Sequence, residues 1–327
     1  MDILFALLYL AAGFLCLIKG ADWFVEGSSN VAKLLKVPSI IIGLTVVAFG
    51  TSMPEASVSI SSALKGANEL AVSNVVGSNI FNLLVVLGAS ALIKPVCCQK
   101  DSVKKEIPFS ILCTVALLVT LFIGKNAESF TLNWVSGLIL LVLFAFYMYW
   151  QISAALKARK AGTVEEEAED GKKISVWKSL LFIAVGLAGI IFGGDWVVEG
   201  ATTIAEVFGM SQTLIGLTIV AVGTSLPELV TSMVAAKKGE SDIALGNVIG
   251  SNIFNIIFIL GFSALVSPIT VDMEAVLDTF VALGVTVLGL IFAGTKLKVA
   301  RWEGAVMVVL YVVYLAYIIM RAYGILA

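Results

Sequence analysis

The sequence predicts an all-α membrane protein of ten transmembrane helices, arranged as two inverted five-helix repeats with helices 2 and 7 broken. Three observations predict it. The apolar residues fall in blocks long enough to cross a bilayer, the chain repeats itself at one constant shift, and the basic residues collect on alternate connections. Fifty-nine per cent of the 327 residues are apolar and only 13% are charged; a soluble domain of this size carries about 25% charged residues.

Ten apolar runs lie near residues 3–26, 38–64, 70–92, 107–124, 131–152, 176–199, 211–236, 242–266, 273–294 and 302–322. Each is long enough to cross a hydrocarbon core of ~30 Å as a helix. The first has no basic segment ahead of it and leads directly into Gly20-Ala21-Asp22-Trp23, so it reads as a retained span rather than a leader. One charged segment interrupts the series and contains Glu165, Glu166, Glu167, Glu169 and Asp170. It reads as a solvated linker, too short for a domain. The chain therefore divides into a first repeat at 1–156, a linker at 157–175 and a second repeat at 176–327.

Basic residues set the orientation. The connections after spans 1, 3, 5, 7 and 9 hold about 17 Lys and Arg, among them Lys94, Lys104, Arg159, Lys238 and Arg301. The opposite side holds Lys65, Lys125 and Arg321. The positive-inside rule then puts both termini outside and the acidic linker in the cytoplasm, with a cell membrane as the expected location. Five spans in the first half turn the second half upside down.

Composition also narrows the chemistry. There is no histidine, which removes His-based metal ligands, relays and triads. A net charge of −2 argues against a nucleic-acid partner. Cys16, Cys97, Cys98 and Cys113 have neither zinc-like nor redox spacing and are expected to be reduced. No nucleophile–base set or cofactor motif is present, so an enzyme is not expected.

The repeat is long and ungapped. Gly43-Leu44-Thr45-Val46-Val47-Ala48-Phe49-Gly50-Thr51-Ser52-Met53-Pro54-Glu55 matches Gly216-Leu217-Thr218-Ile219-Val220-Ala221-Val222-Gly223-Thr224-Ser225-Leu226-Pro227-Glu228 at a shift of 173 residues. The same shift carries Asn74–Asn82 onto Asn247–Asn255, and Asp22-Trp23 and Glu26-Gly27 onto Asp195-Trp196 and Glu199-Gly200. Between Ile42 and Gly88 about 26 of 47 positions equal their partners. Duplication for packing alone would not favour retained polar residues, yet the matches include Thr, Ser, Asn, Pro and Glu. Inverted repeats are a common build of secondary transporters, whose site lies at the midplane between the copies.

Glu55 and Glu228 fall at mid-depth in apolar spans, where a carboxylate costs ~3 kcal/mol or more and needs a partner. Neither repeat core offers a basic residue, so a bound cation or a proton is the expected counter-charge. Pro54 and Pro227 each remove a backbone donor and clash with the carbonyl four residues back, Gly50 or Gly223. They are expected to break spans 2 and 7 and to free carbonyls around Ala48–Thr51 and Ala221–Thr224. Irregular backbone at that depth must line something, and hydroxyl, carbonyl and carboxylate oxygens suit calcium and sodium. Four-residue steps place Thr51 with Glu55, Ala48 with Ser52, Ser78 with Asn82 and Ser251 with Asn255 on shared helix faces. Helix–helix hydrogen bonding is the plainer reading of those Ser and Asn residues taken singly. Asp22, Glu26, Asp195 and Glu199 read as interfacial or capping groups, with an ion path as the alternative. Glu69 and Asp242 read as acids complementing helix dipoles.

Gly-Thr-Ser-x-Pro-Glu followed by Gly-Ser-Asn-Ile-Phe-Asn, present twice, resembles the α-repeats of sodium/calcium exchangers in the calcium/cation antiporter superfamily, of prokaryotic type. The resemblance takes in both repeats, with motifs at 43–82 and 216–255, and the ten-span layout. It implies antiport of Ca²⁺ against Na⁺ by alternating access, with no cofactor, in a chain expected to work as a monomer in the lipid bilayer. It implies that Glu55 and Glu228 bind calcium with backbone oxygens of Thr51 and Thr224. Sodium sites would add the carbonyls of Ala48 and Ala221 and the side chains of Ser52, Ser225, Ser78 and Ser251. Asn82 and Asn255 match the central amide or acid positions. Potassium-dependent relatives carry an aspartate at the position of Asn255, so independence from K⁺ is expected, although some prokaryotic exchangers share that aspartate. The family's three-for-one stoichiometry would make exchange electrogenic. Proton-coupled divalent antiport and K⁺-dependent exchange are the alternatives within transporters; a passive channel or a scaffold are those outside.

Overall fold

A computed structural model describes residues 3–125, 129–161, 175–209 and 221–323. The acidic stretch 162–174, the first half of the predicted seventh span at 211–220 and both extreme termini lie outside the described residues. The helices are α1 (Ile3–Leu35), α2 (Ser39–Thr51), α3 (Met53–Leu64), α4 (Leu70–Ile93), α5 (Ser102–Ile123), α6 (Trp134–Ala161), α7 (Val176–Val207), α8 (Ala221–Gly223), α9 (Leu226–Lys238), α10 (Ser241–Val266), α11 (Met273–Lys296) and α12 (Arg301–Ala322). Among the described residues eight helices are long and apolar enough to cross a membrane, and α2 with α3 makes a ninth if that pair is one span.

Burial sorts the helices into a centre and a rim. The apolar stretches of α4 and α10 are 72% and 83% buried, whereas that of α12 is 11% buried. Without a charged face along their buried lengths, α4 and α10 suit a core position, and they carry the two Gly-Ser-Asn-Ile-Phe-Asn motifs.

The rim pair α1 and α7 packs backbone to backbone. A Cβ on Gly13 would stand 2.8 Å from the Gly193 carbonyl oxygen, one on Gly20 2.7 Å from that of Gly186, and one on Gly200 2.7 Å from that of Ala6. Numbers rise along one helix as they fall along the other, so these repeat-equivalent helices run antiparallel. Small residues every seven positions permit that approach.

Three expectations need correction. The fold is not wholly helical: β1 (Val96–Cys97) pairs antiparallel with β4 (Lys298–Val299), and β2 (Phe130–Leu132) with β3 (Ile269–Val271). These short strands sit in connections, where they tie one half of the chain to the other. The first helix runs on to Leu35, past the expected end near residue 26, because its charged part packs against α9 and finds partners there. The expected linker begins late, since α6 continues to Ala161.

Candidate cation site

Span 2 breaks as the proline predicts. The axis bends by 52° between α2 and α3, at Ser52, whose φ and ψ of −83° and 10° leave the helical region. Pro54 and Pro227 each sit in the first turn of the following helix, where a missing N–H costs least. Thr224 and Ser225 separate α8 from α9 in the second half. The Ala48 carbonyl is not freed, however. It accepts from Ser52 N at 3.0 Å, Thr51 Oγ1 at 3.3 Å and Ser251 Oγ at 3.4 Å, because the last turn of α2 closes before the bend. Ala221 opens α8, and its upstream turn lies outside the described residues.

Both carboxylates are fully buried, and each is served by the other half. Ser52 Oγ donates to Glu228 Oε1 at 2.8 Å, and Ser225 Oγ donates to Glu55 Oε1 at 3.0 Å. Ser225 also lies 3.1 Å from Ser78 Oγ, which reaches Glu55 Oε1 at 3.5 Å. The Thr51 hydroxyl donates not to Glu55 but to Asn247 Oδ1, 3.0 Å away in the second half. Among the described residues neither glutamate enters a salt bridge.

The asparagines form a reciprocal knot between α4 and α10. Asn79 Nδ2 donates to the Asn252 carbonyl at 3.0 Å, and Asn252 Nδ2 donates to the Asn79 carbonyl at 3.1 Å. Each side-chain oxygen is thereby left to accept: Asn255 Nδ2 donates to Asn79 Oδ1 at 3.0 Å, and Asn82 Nδ2 to Asn252 Oδ1 at 3.1 Å. With both amide nitrogens so engaged, the Oδ1 atoms of Asn82 and Asn255 find no partner, like Glu55 Oε2 and Glu228 Oε2. Four buried acceptors without a donor are costly unless a cation meets them.

Asn79 and Asn252 were not among the residues picked out by sequence. They stand inside the quoted motif, and their retention in both copies was the available signal. Asn74 and Asn247 act similarly, donating at 2.9 Å to Ser59 and Ser232 and so fixing each broken helix to its core neighbour. Asn82 and Asn255 each begin a π-helical stretch, Asn82–Leu87 and Asn255–Leu260, an irregularity frequent at functional sites. A third, Gly43–Val47, leads into the bend, and Tyr147 Oη donates to its Leu44 carbonyl at 3.1 Å. Asn79→Ala should leave the Asn255 amide without its acceptor. About 1–2 kcal/mol of orienting hydrogen bond is lost, so a cation titration should show roughly tenfold weaker binding with the fold intact.

Buried oxygens drawn from both halves beside a broken helix, in a body of apolar helices, define a multi-pass membrane ion transporter. The chain belongs to the sodium/calcium exchanger family: residues 5–153 and 178–320 match the family described as "Sodium/calcium exchanger protein". It is 34% identical to the sodium/calcium exchanger MaX1 of Methanosarcina acetivorans, over 94% of this chain and 97% of that one. Identity to the putative antiporter CaxA of Alkalimonas amylolytica is 40%, over 95% and 98% of the two chains. A solved structure of the sodium-calcium exchanger NCX_Mj superposes with a TM-score of 0.82 at 34% identity, over 96% of this chain and 99% of that one.

Proposed function

We propose that the chain exchanges Ca²⁺ for Na⁺ by alternating access around one midplane site, electrogenically and without K⁺. The observation that carries this is the set of four unpartnered oxygens, Glu55 Oε2, Glu228 Oε2, Asn82 Oδ1 and Asn255 Oδ1, all on fully buried residues. Calcium prefers several oxygen ligands, mixing carboxylate with neutral carbonyl. Two carboxylates give a site of charge about −2, which one Ca²⁺ neutralises and which several Na⁺ can match. Backbone oxygens of Thr51 and Thr224 would join the calcium position, and Ser52, Ser225, Ser78 and Ser251 with the Ala221 carbonyl would complete the sodium positions, whereas the Ala48 carbonyl already accepts three hydrogen bonds. The Thr224 hydroxyl has no partner either. A neutral amide at Asn255 leaves the centre without the third acid that a further monovalent ion would favour. With three Na⁺ per Ca²⁺, one net charge moves per cycle, worth ~2.3 kcal/mol per 100 mV.

Strand pairing supports ten crossings. Paired strands share one face of the membrane, so the chain between β1 and β4 crosses an even number of times. Helices α5, α6, α7, α10 and α11 supply five of these, and the segment ending in α9 supplies the sixth. The antiparallel run of α1 against α7 supports inversion of the two halves. The family resemblance supports a monomer in a cell membrane.

The reading is tested by calcium-45 uptake into sodium-loaded proteoliposomes, with Na⁺, K⁺ and H⁺ gradients supplied one at a time. Uptake driven by Na⁺ alone and accelerated by an inside-positive potential is expected. Uptake driven by a pH gradient instead would replace sodium with protons as the coupled ion. Orientation has its own test. Cys97 is exposed, whereas Cys98 is buried and its thiol is pushed up to about 12 by that burial. A membrane-impermeant maleimide should label Cys97 in inside-out vesicles and leave it untouched in right-side-out ones.

A further inference from the structure

Asp22, Glu26, Asp195 and Glu199 have no part in the site above, yet they are repeat partners. The shift that carries Asp22 and Glu26 onto Asp195 and Glu199 also carries Lys65-Gly66 onto Lys238-Gly239. Each half thus contributes two acids one turn apart on a long rim helix, and one lysine at the end of a broken helix.

The two sets differ in state. On one face Lys238 Nζ lies 2.8 Å from the Asp22 carboxylate, donates to the Asp22 carbonyl at 2.8 Å and stands 3.8 Å from Glu26. Beside it Ser29 donates to Glu240 at 2.7 Å. On the other face Asp195 and Glu199 line a cavity of about 460 Å³ with Ser57, Val58 and Thr224, reaching the breaks at Pro54 and Pro227. No described basic side chain closes on those acids. Lys65 is exposed at the end of α3, two turns beyond Ser57 and Val58. From the antiparallel register of α1 and α7, Asp22 stands level with Gly186, so Asp22 and Asp195 lie about 14 Å apart along the pair, on either side of its centre.

We propose that these are alternating ionic latches: Lys238 with Asp22 and Glu26 shuts the cytoplasmic face in the state seen here, and Lys65 with Asp195 and Glu199 shuts the outer face in the opposite state. The proposal rests on the alternating-access reading. Each latch joins acids of one half to a lysine of the other, as inversion of a single observed contact requires. The Lys238 and Asp22 side chains keep 30% and 41% of their exposure, so the pair is weak enough to open at every turnover.

A cysteine at Ser57, in protein whose four native cysteines are replaced, reports the outer cavity through its labelling rate by an impermeant maleimide from outside. Lys238→Ala should lower that rate about two- to fivefold, and Lys65→Ala should raise it by a similar factor. Lys238→Asp with Asp22→Lys should restore it, and Lys238→Gln repeats the test should the alanine variant fail to fold. Opposite shifts from lysines on opposite faces are not what a general loosening produces. Labelling that responds to Na⁺ against Ca²⁺ but to neither lysine, or to both in the same sense, overturns the latches and leaves alternating access standing. Labelling indifferent to ions and lysines alike overturns both.

Discussion

Replacing either buried carboxylate, by Glu55→Gln or Glu228→Gln, should reduce sodium-driven calcium uptake at least ~100-fold, a loss of about 3 kcal/mol. The substitution keeps volume, and the amide oxygen can still accept from Ser225 or Ser52. What changes is the atom facing the centre, where an N–H donor replaces an unpartnered oxygen and one of two negative charges is gone. The same change should act oppositely on stability without ions. An uncompensated buried charge is destabilising, so in ion-free detergent each Gln variant should melt above the parent. Added Ca²⁺ should raise the parent's Tm, by linkage worth ~2.7 kcal/mol at a hundredfold excess over Kd, and leave the variants unmoved. Scanning fluorimetry reads both signs. Uptake that survives either substitution would remove the pair from the site.

Gly20→Val should be among the most damaging changes away from the ions. A Cβ there would stand 2.7 Å from the Gly186 oxygen and 2.8 Å from the Ile190 nitrogen. Both obstacles are backbone, so no side chain can swing aside, and the two long helices must part. Overpacking of this kind costs about 1–3 kcal/mol where neighbours yield and more where they cannot. A lower Tm and a broadened elution profile are expected, with uptake lost. Gly77→Ala is the matched control: nothing lies within 4 Å of its Cβ position, and alanine gains helix propensity of up to ~1 kcal/mol.

Much of the site was legible because proline and glutamate are conspicuous in apolar spans. Pro54 marked the bend to within two residues, and the shift of 173 paired Glu55 with Glu228. Which hydroxyl serves which carboxylate was not legible. Spacing along one helix suggested Thr51 with Glu55, whereas the Thr51 hydroxyl donates across to Asn247 in the second half. The orienting role of Asn79 and Asn252 was hidden for another reason: adjacent asparagines in one motif look alike until a partner helix separates the atom that orients from the atom that faces the ion. Hydropathy closed the first helix where charges begin, near Asp22 and Glu26. Those charges are tolerated inside α1 because Lys238, more than two hundred residues later, comes to meet them. Strands of two or three residues are too short to leave any periodic trace.

The crossing of serines and carboxylates between halves has a consequence for biogenesis. Ser225, which donates to Glu55, is made 170 residues after it. At ordinary ribosome speeds that interval is about 10–30 s. Until then Glu55 has one donor from its own half, Ser78 at 3.5 Å. The nascent first half therefore carries an acid whose donor from the other half is still being translated, which makes its arrival in the membrane the exposed moment in the life of this chain.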